Sequence, residues 1–416
     1  MAKRIPLEIL DLKDQRYSCH GCGDCCRDFS VQLRDEDLER LGKQGWEEKL
    51  GQSVTVEFRG RRYLRQQADG ACLFLQEDGL CQIHGEFGFH EKPVACRLFP
   101  FNLAPDATGT HAGLNFACQS VRANRGASLE SHRDDLRRAL REVPESKAIS
   151  PPRLAGDLRA DVEEVDAVVS AFDRWLGAVE VPLSIRLDGL AWLSQSLGAA
   201  SFAEVRGPRV TELVDLLVSA LPDELLHLPV DSPGRGQRRQ LRQASFARIE
   251  DPRFTGDEKK ASLSVRLDQW SRSRRFARGR GPIPGLARGW SVPADFRDVE
   301  LMPSVPGTPE ISDLVTRWLR STIRGGRAWG SGYYGWTIAE GVQGLSLNVA
   351  CLGWLARAHA AGEGHEVVTL ESVGEALGRI DRSSGRAAWL GTAAERLRLR
   401  YLAADDGLRR LVRSTW

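Results

Sequence analysis

Eight cysteines fall within the first 118 residues of a 416-residue chain, and one more, Cys351, lies far beyond them. Cys19, Cys22, Cys25 and Cys26 form a C-x2-C-x2-C-C run; Cys72, Cys81, Cys96 and Cys118 follow at longer intervals. Two-residue spacers let a tight loop point successive sulfurs at one centre. Gly21 and Gly23 supply the backbone freedom such a loop needs. Cysteine is often buried singly as a small hydrophobe. That suits Cys351, set in an apolar helical stretch, but not four cysteines in eight residues flanked by Gly, Asp and Arg. Adjacent Cys25 and Cys26 are poorly placed to bridge each other as a disulfide. The crowding therefore points to metal.

The compartment supports that reading. Residues 1–20 carry no apolar signal region and no small-residue cleavage site. No run approaches the ~18 consecutive apolar residues of a membrane span. The expected location is the cytoplasm, where thiols stay reduced and clustered cysteines serve metals. Hydrophobic residues make up 42% and charged residues 27%, so folded cores are expected rather than disorder. A net charge of +2 gives no whole-chain argument for nucleic acid or a membrane surface.

The spacing favours an iron–sulfur cluster over zinc. Three thiolates spaced by two residues cover three corners of a cubane, and a remote cysteine beside proline supplies the fourth. Cys96, in Lys92-Pro93-Val94-Ala95-Cys96-Arg97-Leu98-Phe99-Pro100, fits that remote place. Structural zinc usually shows two C-x2-C knuckles, and Cys72 and Cys81 do not make a second one. Eight cysteines could still fill one four-Cys cluster and one four-Cys zinc site. His20, His84, His90 and His111 are candidate substitutes for a thiolate, although a lone histidine is more often a surface or capping residue.

The expected fold class is α+β: a small cysteine-rich metal-binding module of short strands and loops, followed by a mostly α-helical body. The expected divisions are a cysteine-cluster domain over 1–125, a helical region over 126–230, an Arg/Gly/Pro-rich connector over 231–308 and a helical C-terminal region over 309–416. Within the module a helix is expected from Asp35 to Gly51. Hairpins are expected around Arg59–Gly60 and Asp78–Gly79, and a strand near Thr110. In the body, Val162, Val165, Val169, Phe172 and Leu176 share one helical face, as do Leu213, Leu216, Leu217 and Ala220. Leu345–Ala356 reads as a buried helix. Trp175, Trp192, Trp318, Trp354 and Trp389 read as core.

Two arginine runs mark the connector: Arg235, Arg238, Arg239 and Arg242, then Arg272, Arg274, Arg275, Arg278 and Arg280. A solvated, exposed segment is the expectation, with contact to phosphate or an acidic protein surface as the functional alternative. Gly330-Ser331-Gly332-Tyr333-Tyr334-Gly335-Trp336 could line a slot for a planar group such as adenine, or pack its rings onto the body.

The three cysteine blocks, C-x2-C-x2-C-C, then Cys72 and Cys81, then K-P-x-x-C-R-x-F-P, resemble the zinc- or iron-chelating CxxCxxCC family over residues 17–120. The resemblance implies metal ligation by Cys19, Cys22, Cys25, Cys26, Cys72, Cys81 and Cys96, with Cys118 as a further cysteine. The long form with a helical body looks like the flagellin lysine N-methylases. That implies methyl transfer from S-adenosylmethionine to a protein lysine, with flagellin as a protein substrate. No G-x-G-x-x-G follows a strand, so no Rossmann-type donor site is visible. The C-x3-C-x2-C of radical enzymes is absent as well. A neutral lysine amine needs only deprotonation, alignment and exclusion of water to accept a methyl group, so the metal could be purely structural. A metal-stabilised adaptor and a redox or metal-handling protein are the competing readings.

Overall fold

The computed structural model describes residues 7–9, 15–58, 60–105, 110–143, 151–227, 230–250, 263–285, 290 and 293–416. The architecture is α+β, with short strand pairs near the N-terminus followed by a helical body. Strands β1 (Leu7–Ile9), β5 (Phe101–Pro105) and β6 (Thr110–Leu114) form one sheet, with β1 parallel and β5 antiparallel to β6. Strand β2 (Arg16–Tyr17) pairs with β7 (Ala127–Ser128), β3 (Thr55–Phe58) with β4 (Arg61–Leu64), and β8 (Arg153–Ala155) with β9 (Leu158–Arg159).

The module's helices are short: α1 (Asp24–Asp28), α2 (Asp35–Lys43), α3 (Trp46–Leu50), α4 (Gln82–Phe87), α5 (Val94–Leu98), α6 (Gln119–Arg122) and α7 (Arg133–Glu142). The helix expected from Asp35 to Gly51 is broken in two. Gly45 turns left-handed (φ +69°) and ends α2, and Gly51 (φ +63°) ends α3. The expected hairpin at Asp78–Gly79 keeps its turn, Gly79 donating to Gln76 O at 3.0 Å, and one bridge, Leu75 to Cys81. It then winds into α4 instead of returning as a strand. A helix places Ile83 and Phe87 four apart on one side, where Ile83 enters the core and Phe87 meets Trp46 at 5.6 Å.

The body is built from α8 (Val162–Leu176), α9 (Leu183–Ala199), α10 (Pro208–His227), α11 (Arg235–Ile249), α12 (Leu263–Arg278), α13 (Phe296–Leu301), α14 (Pro309–Arg324), α15 (Ile338–Gly362), α16 (Leu370–Ser383), α17 (Ala393–Ala403) and α18 (Gly407–Thr415). Helix α15 runs through the middle and is buried on nearly every side, as its apolar sequence predicts. On α10 the core face is Val210, Val214 and Leu221; Leu216, expected inside, is 65% exposed. Among the described residues no helix is long and apolar enough to cross a membrane.

Residues 231–308 differ from the expected exposed connector. Helices α11 and α12 occupy much of the segment, and Leu241, Ala244, Phe246, Ile249 and Phe276 join the main core. The arginines divide by role. Arg272 is buried and ion-paired to Glu250 at 2.6 Å, and Arg242 donates to Phe276 O at 3.0 Å. Arg235, Arg238, Arg239, Arg274, Arg275, Arg278 and Arg280 face solvent. At helical spacing, arginine stems cover apolar surface while their heads reach water. Composition alone reads such a segment as a loop.

Two hydrophobic cores result. The smaller holds Leu33, Leu41, Trp46, Val54, Leu64, Phe74, Leu75 and Ile83. The larger gathers the helical body, and it also takes in Phe101, Ala112, Leu114, Phe116 and Val121. The sheet β5–β6 lies on α14, with Leu114 N donating to Ser321 Oγ at 3.3 Å. Cys26, Cys72 and Cys81 pack with the smaller core, and Cys118 packs on the larger.

Candidate metal centre

The loop Cys19–Gly23 carries the first two cysteines at the surface, both exposed. Gly21 and Gly23 take left-handed angles (φ +69° and +74°), which L side chains rarely adopt. A Cβ on Gly21 would lie 2.8 Å from Leu80, and one on Gly23 only 3.2 Å from Gly79 O. The chain must therefore be bare there to pass over the turn that follows Leu75. Gly23 then starts the single turn α1, with Cys26 N donating to Gly23 O at 2.9 Å. Cys25 and Cys26 sit side by side on that turn, their sulfurs 4.0 Å apart.

Cys26, Cys72 and Cys81 belong to the small core. Cys72 N donates to Cys26 O at 2.7 Å, and Leu75, hydrogen-bonded to Cys72 O at 3.0 Å, bridges to Cys81. Cys96, on α5, completes the neighbourhood and interacts electrostatically with Cys72, Cys26 and Cys81. Burial pushes the Cys72 thiol up to about 12 and raises Cys96 as well. Cys26 goes the other way: the hydrogen bond from Cys25, with Lys92 and Arg27 close by, favours its thiolate. Burial pulls the Lys92 ammonium down, yet the Cys96, Cys81, Cys26 and Cys25 sulfurs outweigh it and hold the group above its usual value. Lys92, conspicuous in the sequence only as the start of a motif, is thus a cation shared by four of these sulfurs, with Arg27 beside Cys26.

Cys118 lies elsewhere. It caps α6 and packs on the main core. The loop of Cys19 is tied to it: His20 Nδ1 and Ser120 Oγ are 2.8 Å apart, Ser18 N donates to Arg125 O at 3.0 Å, and Tyr17 pairs with Ala127. Cys118 accordingly interacts with Cys22 and Cys19, and burial pushes its thiol up to about 11. Tyr17, buried beneath, is raised by burial and by Cys19, Cys118, Cys25 and Cys22.

Neighbouring backbone N–H groups favour the thiolate, that of Asp24 for Cys22, of Phe74 for Cys72, and of Val121 and Ser120 for Cys118, although burial outweighs them in each case. Such donors stabilise thiolate over thiol and tune metal-bound sulfur.

Two anchors explain the rest of the Lys92–Pro100 segment. Asp37 is buried; it caps α2 by accepting from Arg34 N at 3.2 Å and also accepts from Val94 N at 2.9 Å, which fixes the start of α5. Arg97 makes a two-pronged pair with Glu142 on α7, one prong at 2.9 Å, and donates to Lys92 O. Arg40 joins the same carboxylate at 2.9 Å. The Arg97 contact holds the Glu142 carboxyl below its ordinary range.

The histidines stay out of the cysteine groups. His20 is held by Ser120, His84 packs edge-on against Phe89, His90 lies 3.0 Å from Arg138, and His111 lies on β6 beside Ala104 and Glu8. Cys351 is fully buried on α15, remote from the others. Among the described residues no three His, Cys, Asp or Glu side chains stand at ligand spacing. The donor set, soft thiols gathered from separate parts of the chain, nonetheless suits zinc or iron–sulfur chemistry.

A separate cleft of about 560 Å³ opens between α9, α15, α17 and the β8–β9 hairpin, lined by Arg153, Arg396, Arg400, Glu340, Gln195 and Gln343. Gln195 Oε1 and Arg396 Nε are buried there without a hydrogen-bond partner among the described residues. The neighbouring aromatic stretch turns inward. Tyr333 and Trp336 are buried and meet edge to face at 5.2 Å, so they pack on the body rather than form a slot.

Residues 18–120 match the CxxCxxCC family, described as "Putative zinc- or iron-chelating domain". Over 101 residues the chain is 28% identical to an uncharacterized protein, MJ0939, of Methanocaldococcus jannaschii. That stretch covers 24% of this chain and 35% of the relative, so the chain spans about a third of that protein's length. No solved structure matches.

Proposed function

We propose that this chain, whose residues 18–120 match a chelating-domain family, is a cytoplasmic metalloprotein whose N-terminal thiols hold an iron–sulfur cluster in preference to zinc. The observation that carries the reading is the gathering of cysteines from separate parts of the chain: Cys26, Cys72 and Cys81 pack on one small core, Cys72 N donates to Cys26 O at 2.7 Å, and Leu75, bonded to Cys72 O, bridges to Cys81. Iron–sulfur is favoured by the two-residue spacing of Cys19, Cys22 and Cys25 around left-handed glycines, with further thiols supplied from far along the chain. The proposed ligands are Cys19, Cys22, Cys25, Cys26, Cys72, Cys81, Cys96 and Cys118. The test is metal retention. Cys22→Ser and Cys96→Ser should lower the metal bound per chain, and Cys351→Ser should leave it unchanged. Full retention in the first two would remove the assignment.

A second reading, lysine N-methylation of a protein such as flagellin with S-adenosylmethionine as donor, draws support from the cleft. Its arginines suit a carboxylate, and the unsatisfied Gln195 Oε1 suits an ammonium or amide N–H. Saturable binding of S-adenosylmethionine, weakened at least tenfold by Arg396→Ala, is the expected result. No binding at millimolar donor would leave the metal-stabilised adaptor as the better account.

A further inference from the structure

We propose that the eight cysteines make two metal centres rather than one: an inner centre of Cys26, Cys72, Cys81 and Cys96, and an outer centre of Cys19, Cys22, Cys25 and Cys118 that joins the small module to the helical body. The inference rests on the metal reading above and deepens it.

Four observations separate the sets. Cys26, Cys72 and Cys81 pack on the small core, whereas Cys118 packs on the main core. Backbone hydrogen bonds tie Cys72 to Cys26 and, through Leu75, to Cys81. A different set, His20 to Ser120 and Ser18 to Arg125, ties the Cys19–Cys22 loop to the turn that holds Cys118. Finally, the electrostatic neighbours divide the same way: Cys72 and Cys96 interact with Cys26 and Cys81, and Cys118 with Cys22 and Cys19.

The boundary falls between Cys25 and Cys26. Successive residues on a helical turn point about 100° apart, so one can face each side while their sulfurs stay 4.0 Å apart. Cys26, which interacts with Cys72, Cys96 and Lys92 and shares the small core with Cys81, is committed to the inner set. Cys25, beside Cys26 and interacting with Cys96 as well as with Tyr17, stands between the sets and is the thiol left for the outer one once Cys26 is committed. The arrangement makes the outer centre a clamp. Three of its ligands come from one loop and turn, the fourth comes from the body, and the first two are exposed. Four thiolates are the usual complement of a closed structural site.

The test uses the full-length chain, stripped of metal and reduced, titrated with cobalt(II) as a visible reporter of thiolate ligation. Wild type should take up two equivalents. Cys19→Ser and Cys118→Ser should each lose one, and Cys72→Ser and Cys81→Ser should each lose the other. Amide protection of residues 18–23 should rise with the outer equivalent and fail to rise in Cys19→Ser, an exposed position that leaves both cores intact. One equivalent in the wild type, abolished alike by inner and outer substitutions, would overturn the partition and leave a single centre. No cobalt–thiolate signal in the wild type would overturn the metal reading itself.

Discussion

Arg97 shows how much of the centre depends on residues that are not themselves metal donors. Its guanidinium is 3% exposed and spends its donors on Glu142 and Lys92 O, so Cys96 is presented on a turn that cannot swing away. Glu142 titrates below the ordinary carboxylate value because of that pair. In this window the unfolded chain binds more protons than the folded one, so the pair's contribution is present above the ordinary value near 4.5 and is lost as pH falls through the lower folded value. Glu142→Gln should cost roughly 2 kcal/mol at neutral pH, moderated because Glu142 is partly exposed, and should flatten the acid limb. Acid titration of both proteins by circular dichroism checks this, and parallel acid limbs would contradict it. At this scale the sequence was informative about the cysteines, whose spacing is chemical. It was silent about Glu142 and Tyr17, which reach the centre only through tertiary contact.

Among the elements, α3 and α4 hold the inner neighbourhood through one side chain. Trp46 is fully buried, meets Phe74 at 4.9 Å and Phe87 at 5.6 Å, and donates to Gln44 Oε1 at 2.5 Å. Trp46→Ala should cost about 3–5 kcal/mol. Because the small core is separate from the large one, that cost should appear as weakened metal retention and lost amide protection over residues 33–83, with α15 still protected. Equal loss of protection in both regions, measured by hydrogen exchange, would contradict two separate cores. The element boundaries were only partly legible. Gly45 breaks α2 from α3 through a local backbone angle that a glycine inside a helical pattern does not announce. Residues 235–278 hid their helices behind arginine and polar residues, since the apolar positions of α11 are few and depend on α15 for their burial.

For the molecule as a whole, an α+β chain with a cysteine module and a helical body was readable from where the cysteines stop and helical periodicity begins. What was not readable is that β5, β6 and α6 pack with the body, so that Cys118 faces the other thiols from across the junction of the two cores. That long-range placement gives the metal a mechanical consequence beyond ligation, since an ion held there fixes one core against the other. Metal binding of this kind contributes directly to folding free energy. The most direct check is the metal and acid-labile sulfide content of the chain purified without oxygen, together with its visible absorption. The expected result is iron with sulfide and a broad brown absorption; stoichiometric zinc without colour would keep the thiolate centre and replace the cluster. A folded, fully reduced chain carrying neither metal would contradict the account.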